Sequence, residues 1–411
     1  MNISEQTNFY QGHDPIELIK QYGSPLYVYN EKILRQRCRE MKNLVKLPDF
    51  SVNYSVKANS NLTILKIVRE EGLKADALSM GEIFLNLKAG FTPQDIFFVS
   101  NNIDDEEMNF AIKSGIMLSA DSLAQLERYG RLNPGGKIAL RFNPGVGAGH
   151  HNKVITGGED TKFGINEEYI PQVKSLLSKY NLKLVGINQH IGSLFMSGAP
   201  YVAGVKNLLR IAGQFKGLEF IDIGGGFGIP YRKQEGEKRL DLNALSAELT
   251  PILEDFIKTY GKVTFKIEPG RYVVAESSML LGKVNAIKQN GSKKFIGTDI
   301  GFNVLARPML YDAHHDIEVY HRNKKASSKQ ETVTVVGNIC ESGDILAKNR
   351  TLPEIFEDDV LGLSDAGAYG FAMSSNYNSR LRPAEILIKE NGEIALIRKR
   401  DTLEQLLQNF V

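Results

Sequence analysis

A lysine closes an apolar run in Tyr54-Ser55-Val56-Lys57-Ala58-Asn59 and is followed at once by small polar residues. Buried strands normally exclude lysine, because the ammonium loses hydration without gaining a partner. A lysine so placed gives up its proton readily and becomes a nucleophile able to form a Schiff base. A strand-end lysine snorkelling to solvent accounts for the same stretch, so Lys57 alone decides nothing. Other reactive types recur at the ends of apolar runs. Asp76 opens one, Arg141 sits in LRFNP, and His190 and Ser193 sit in QHIGS. Gly224, Gly225 and Gly226 follow Asp222-Ile223, and Glu268, Gly270 and Arg271 form EPGR.

The elements that must position these residues alternate. Apolar runs lie at Ser51–Ala58, Ala75–Ser79, Ile96–Ser100, Met117–Ala120, Ile138–Phe142, Leu184–His190, Phe220–Ile223 and Phe265–Ile267. Most gaps carry a helical pattern, as in Leu62–Glu71, Gly81–Ala89 and Leu242–Tyr260. Eight strands alternating with helices predict a (β/α)₈ TIM-type barrel. A doubly wound sheet usually has fewer strands and a glycine fingerprint after the first.

Ahead of the barrel, a short helix and a strand, Leu26–Tyr29, precede an amphipathic helix over Glu31–Leu47. Its apolar stripe includes Cys38, read as a small core residue. After Val274 short β-rich runs follow, at Leu280–Ile287, Lys294–Asp299, Glu331–Val336, Asp359–Leu363, Ala384–Ile388 and Ile394–Lys399. They predict a C-terminal antiparallel β-domain joined by the N-terminal strand. The expected domains are a barrel over 30–275 and a β-domain made of 1–29 and 276–411. Ala313–Gln330 reads as an exposed loop, and Leu403–Asn409 as a short closing helix.

In a barrel the C-terminal strand ends face the active site, and the loops after strands seven and eight bind phosphate. Glycine lets backbone N–H groups approach an anion closely, although a lone triplet usually marks only a tight turn. A phosphate turn together with Lys57 points to pyridoxal 5'-phosphate. That cofactor also needs a group at its pyridine nitrogen. Glu268 is the candidate, since a carboxylate keeps the nitrogen protonated through a charge-assisted bond of roughly 1.5–3 kcal/mol. Arginine there would suit racemisation, whereas a carboxylate favours decarboxylation. His190 alone is a core histidine; with Ser193 three residues on, ring stacking and phosphate binding account better for the pair.

Composition narrows the classes. The 411 residues are 42% apolar and 24% charged, with a net charge of +2, as in an ordinary globular protein. No large basic field is present for nucleic acid or a membrane surface. Short basic runs such as Lys293-Lys294, Lys324-Lys325 and Arg398-Lys399-Arg400 read as solvated faces. No apolar run approaches the roughly 20 residues of a spanning helix, and no export signal opens the chain. Two cysteines are too few for a disulfide framework, so a reducing cytoplasm is expected. No metal-ligand set is assigned.

From about Pro25 to Arg400 the chain resembles the diaminopimelate decarboxylase family, within the fold-type III, alanine-racemase-like pyridoxal-phosphate enzymes. The motifs, in order, are YSVKANSN, HNKVITGGEDTKFGI, QHIGS, GGGFG, EPGR, RPMLYDAHH, CESGD and GAYGFAMSSNYNSRLRPAE. The chain departs at Leu194, where the family commonly shows glutamine, at Phe302-Asn303-Val304-Leu305 and at Asn338. The resemblance implies conversion of meso-2,6-diaminopimelate to L-lysine and carbon dioxide. Alternatives are a decarboxylase of another basic or conjugated amino acid, or a non-catalytic cofactor-binding homologue. It also implies roles. Lys57 and Cys340 are catalytic. Asp76, Arg141, His190, Ser193, Gly224, Gly225, Gly226, Glu268, Gly270, Arg271 and Tyr369 surround the cofactor. Arg271, Arg307, Tyr311, Glu341 and Tyr369 bind substrate. Cys340 and Glu341 reach the partner subunit's barrel, so a homodimer is implied.

Overall fold

The computed structural model describes residues 2–99, 101–145, 147–149, 161–323 and 329–411. Most of HNKVITGGEDTKFGI, the end of the run at Ser100, and Lys324-Lys325 lie outside them. The chain divides into two compact units, one of residues 1–34, 230–238 and 274–411, the other of 35–229 and 239–273.

The second of these is a closed barrel of eight parallel strands. They are Phe50–Tyr54, Lys74–Ala77, Ile96–Phe98, Met117–Ala120, Lys137–Arg141, Lys183–Asn188, Phe220–Asp222 and Thr264–Ile267. Strand eight closes on strand one through Phe265 opposite Phe50. Five of the helices between them start on side-chain caps: Asn61, Ser79, Asp104, Ser122 and Asp241 each accept a backbone N–H of the first turn. Each helix turns its apolar stripe inward, as Ile64, Leu65, Ile67 and Val68 do in Leu62–Glu70. Inside the barrel Phe97, Ala139, Val185 and Phe220 pack together, with the Phe97 and Phe220 rings 5.3 Å apart edge to face. Gly186 makes the room, since a Cβ there would stand 2.2 Å from the Phe220 ring. Two residues beyond Phe220 on the same face of its strand comes Asp222, where the interior turns polar.

The other unit is built on a nine-stranded sheet. Leu26–Asn30 is buried throughout and sits between Ser278–Asn290 and Ala384–Ile388. The sheet is mixed rather than wholly antiparallel. Leu26–Asn30 runs parallel to Ala384–Ile388, and Lys293–Thr298 runs parallel to Gln330–Val336. Two strands were not expected, Ile317–Tyr320 and Ile345–Pro353. The first lies within the segment read as an exposed loop; His315, Asp316 and Glu318 there are buried. The closing helix is a single 3₁₀ turn, Glu404–Leu407. Leu26, Val28, Leu281, Ile386 and Ile388 form part of this unit's core.

Candidate active site

Lys57 does not end strand one; it lies in a 3₁₀ turn, Val56–Ala58, just beyond it. Asp76 holds that turn from strand two. One of its oxygens accepts the Val56 N–H at 3.1 Å and the other accepts the Ser55 hydroxyl at 2.6 Å. The Ser55 N–H is bound in turn by the Pro269 carbonyl at 3.1 Å, which ties the lysine turn to the EPGR segment. Burial pushes the Asp76 carboxyl up to about 6, with the Lys57 charge opposing it.

The glycine turn after strand seven is compelled by its neighbours. Asp222 accepts the Gly224 N–H at 3.0 Å, and the Tyr201 hydroxyl donates to the Gly224 carbonyl at 3.1 Å. Gly224 and Gly226 have φ of +82° and +106°, the left-handed region that glycine alone enters freely. A Cβ on Gly225 would stand 1.9 Å from the Glu268 carbonyl oxygen. His190 Nδ1 accepts the Gly225 N–H at 3.3 Å, which places the ring proton on Nε2. Burial holds this imidazole well below its usual range, helped by the Lys57 and Arg141 charges, so the ring is neutral. Arg271 donates to the Ser193 hydroxyl at 2.9 Å, joining the strand-six and strand-eight loops.

Glu268 is buried, and its Oε1 finds no hydrogen-bond partner among the described residues. Burial raises its carboxyl far above the usual range; Asp222 and Asp76 add to the rise, while Lys57 and Arg141 oppose it. Such a group needs a cation or a donor. The pyridine N–H of pyridoxal phosphate is both, and the turn that would take its phosphate is made of glycines whose backbone neighbours leave no room for a Cβ. The residues present fit this cofactor.

Arg141 ends strand five, where burial lowers its guanidinium pKa and Glu268 and Asp121 counteract. Gly270 closes EPGR just ahead of Arg271, which opens a short helix, Arg271–Val274. One unit thus carries Lys57, Asp76, Arg141, His190, Ser193, the three glycines, Glu268, Gly270 and Arg271 on its strand ends.

The other unit carries the remaining expected residues. Arg307 is 2% exposed, its guanidinium 4.4 Å from the Tyr231 ring centre and 2.9 Å from His315 Nε2. His315 Nδ1 donates to the Ser364 carbonyl at 2.7 Å, so its Nε2 is the acceptor for Arg307. Tyr311 ends the short helix begun by Arg307. Cys340 and Glu341 are exposed. The Cys340 N–H is bound by Asn378 Oδ1 at 3.0 Å, and Glu341 accepts the Tyr377 hydroxyl at 2.6 Å. Tyr369 is half-buried with φ +56°, a strained value for a non-glycine residue.

Sequence reasoning missed Asp222 and Lys266. Both are polar residues inside strands, opposite one another in the register of strands seven and eight. The Lys266 ammonium lies 3.7 Å from the Phe220 ring centre, and burial brings it down to about 8 against the pull of Asp222. The only signal was an acid and a lysine inside otherwise apolar runs.

Burial also raises Asp222 to about 7. A carboxyl raised on folding binds more protons folded than unfolded between its unfolded pKa, about 4, and its folded one. Its contribution to stability therefore falls as pH rises through that window. Asp222→Asn should remove this, so thermal melts of wild type relative to variant should worsen from pH 4 to 7 by at most ~1.4 kcal/mol per pH unit. A difference independent of pH would show that Asp222 ionises freely in the fold.

The family described as pyridoxal-dependent decarboxylase, pyridoxal binding domain, matches residues 31–275. The chain is 43% identical over 407 residues to a diaminopimelate decarboxylase of Methanothermobacter thermautotrophicus, covering 97% of this chain and 94% of that one. It is 37% identical over 413 residues to the diaminopimelate decarboxylase of Escherichia coli strain K12, covering 95% of each. The crystal structure of diaminopimelate decarboxylase from Helicobacter pylori complexed with L-lysine matches with a TM-score of 0.88 at 32% identity, over 96% of this chain and 98% of that one. A lysine turn, a glycine cradle and a buried glutamate at one barrel mouth agree with these likenesses: the cofactor is pyridoxal phosphate, and the chain belongs to the diaminopimelate decarboxylase family of pyridoxal-dependent decarboxylases.

Proposed function

We propose that this chain decarboxylates meso-2,6-diaminopimelate to L-lysine and carbon dioxide, as a cytoplasmic homodimer. The observation that carries the reading is Glu268, a buried carboxyl with an unsatisfied oxygen in the same barrel mouth as the Lys57 turn and the glycine cradle. When bound, the cofactor supplies an electron sink for the pair released as carbon dioxide leaves. Lys57 would supply the amine that holds the cofactor, and Asp76 fixes its turn. His190, neutral, would lie against the cofactor without adding charge. Ser193, held by Arg271, and Gly224–Gly226 take the phosphate, with Arg141, Gly270 and Tyr369 completing the surround. Glu268 would hold the pyridine nitrogen through a charge-assisted bond, the chemistry that a strong electron sink for decarboxylation requires.

Arg271, Arg307 and Tyr311 bind the distal carboxylate, which needs a planar bidentate donor, and Glu341 binds the distal ammonium. Cys340 Sγ returns a proton to the carbon that lost carbon dioxide. Both Cys340 and Glu341 are exposed in the single chain, as residues delivered to a partner subunit's barrel must be. Among the described residues no helix is long and apolar enough to cross a membrane.

The test is carbon dioxide release from diaminopimelate, lysine, ornithine and arginine by the purified protein. Diaminopimelate should be turned over and the others poorly, because they lack the distal carboxylate. Equal turnover of lysine or ornithine would overturn the substrate and leave the cofactor chemistry standing.

Glu268→Gln should retain the cofactor and lower kcat more than it changes KM, because the interaction strengthens as charge develops in the transition state. An unchanged kcat would mean that Glu268 is not the nitrogen's partner. For assembly, mixing inactive Lys57→Ala and Cys340→Ala subunits should restore activity. A mixed dimer holds one intact site, so about half the wild-type activity per such dimer is the upper bound. No recovery after demonstrated subunit exchange would point to sites built within one chain.

A further inference from the structure

Cys340 and Glu341 sit on a segment that is tied to two other stretches of the chain. Asp344 accepts the Ile339 N–H at 2.7 Å with one oxygen and the Phe302 N–H at 2.7 Å with the other, so it joins their segment to Gly301–Asn303. No side chain fits at the junction: a Cβ on Gly337 would stand 2.2 Å from Asp344 Oδ2, and one on Gly301 2.6 Å from Ile339. A third stretch, Ser375–Ser379, is attached to the same place. The Ser375 N–H donates to the Asn303 carbonyl at 2.9 Å. The Tyr377 ring stacks on Phe302 with centres 5.5 Å apart and planes at 26°.

Asn378 and Ser379 both hold positive φ, +55° and +54°, although neither is glycine. Two consecutive residues in that region are disfavoured and persist only when surrounding contacts hold them. Here the result of that conformation is visible. The Asn378 side chain accepts the Cys340 N–H at 3.0 Å, and the Tyr377 hydroxyl reaches Glu341 Oε1 at 2.6 Å. A surface hydrogen bond between two flexible side chains is usually worth little. This one differs because the donor ring is stacked on Phe302, whose backbone N–H is bound by Asp344.

We propose that Tyr377 is a positioning residue for substrate recognition, holding one oxygen of Glu341 on the Phe302 platform so that the carboxylate keeps its remaining lone pairs fixed for an ammonium group. The inference rests on the reading of Glu341 as the ligand of the distal ammonium. A carboxylate has about four lone-pair sites, so one bond from a phenol leaves it competent to bind a cation. The neighbouring Glu341 raises the Tyr377 phenol above its ordinary value, which keeps it a donor through the neutral range. Holding the carboxylate removes a rotamer freedom that substrate binding would otherwise have to freeze.

The experiment is steady-state kinetics of the holoenzyme on diaminopimelate for wild type, Tyr377→Phe, Glu341→Gln and the double variant. Phenylalanine keeps the stack on Phe302, so folding is preserved. Tyr377→Phe should raise KM about 5- to 20-fold with kcat within about twofold, as expected for loss of uniform binding. The double variant should be no worse than Glu341→Gln alone, since Tyr377 acts only through that carboxylate. Alkylation of Cys340 by iodoacetamide should proceed within about twofold of the wild-type rate, which loosening of the whole segment would not allow. If Glu341→Gln raises KM but Tyr377→Phe does not, or if the two effects add, the inference fails and the role of Glu341 stands. If Glu341→Gln leaves KM unchanged, the role of Glu341 fails and the inference with it.

Discussion

Replacing Lys57 by alanine should leave a folded protein whose turnover of diaminopimelate falls on the order of 10³-fold or more, the scale of removing a covalent catalytic group. The fold should survive because the turn is anchored by its other members. Asp76 binds the Ser55 hydroxyl and the Val56 N–H, Pro269 binds the Ser55 N–H, and the Tyr54 hydroxyl binds the Asn59 carbonyl at 3.0 Å. The Lys57 side chain is not needed for any of these. Its loss does remove a positive charge that restrains the upward shift of Asp76 and Glu268, so both carboxyls should be protonated more readily in the variant. Borohydride should fix the cofactor to the peptide holding Lys57 in wild type and leave no label there in the variant. Normal turnover by Lys57→Ala, or a label appearing on another lysine of the wild type, would remove the central assignment.

The barrel was legible because strands buried on both faces read as unbroken apolar runs, and helices between them keep their own period. The same signal misplaced Lys57. Val56 and Ala58 are as buried as the strand before them, so the apolar run continues through a turn that the pattern cannot mark. In the other unit, Ile317–Tyr320 was hidden by Glu318, which a sequence presents as a surface residue. In the fold that glutamate is buried and accepts the Ser4 N–H at 2.9 Å and the Tyr320 hydroxyl at 2.6 Å. Ile345–Pro353 lies at the sheet edge, where Lys348, Asn349 and Arg350 break the alternation that announces a strand. The mixed pairing was out of reach as well. Leu26 lies beside Ala384, a contact no local pattern encodes. Among the candidate site residues, the sequence singled out those that stand out by type at the ends of apolar runs or in family motifs; Asp222, Lys266 and Tyr377 have partners that only the folded chain brings close.

Gly225→Ala should be nearly as damaging as loss of the lysine, and for a reason that lies wholly in the backbone. The new methyl group would stand 1.9 Å from the Glu268 carbonyl oxygen, far inside contact distance. Overpacking typically costs ~1–3 kcal/mol where side chains can yield, and more where the neighbour cannot. Neither neighbour can move alone here. Gly225 is tied to His190 through its N–H, and Gly224 beside it is tied to Asp222 and Tyr201. On the other side the Glu268 N–H is bound by the Gly224 carbonyl at 3.1 Å, and the Pro269 carbonyl after it holds the Ser55 N–H. Relief of the clash must therefore shift the phosphate turn, the pyridine-nitrogen partner and the Lys57 turn together. Cofactor affinity, read by fluorescence titration of the resolved apoprotein, should fall on the order of 10²-fold, equivalent to about 2.7 kcal/mol. The melting temperature should fall as well. Gly236→Ala is the control: it has φ +83° and nothing within 4 Å of a new Cβ, so it should cost only the ~1 kcal/mol of a left-handed alanine and leave affinity unchanged. Gly225→Ala with wild-type affinity and melting would show that the turn and the EPGR segment are free to separate, and the coupling of phosphate grip to Glu268 would fall.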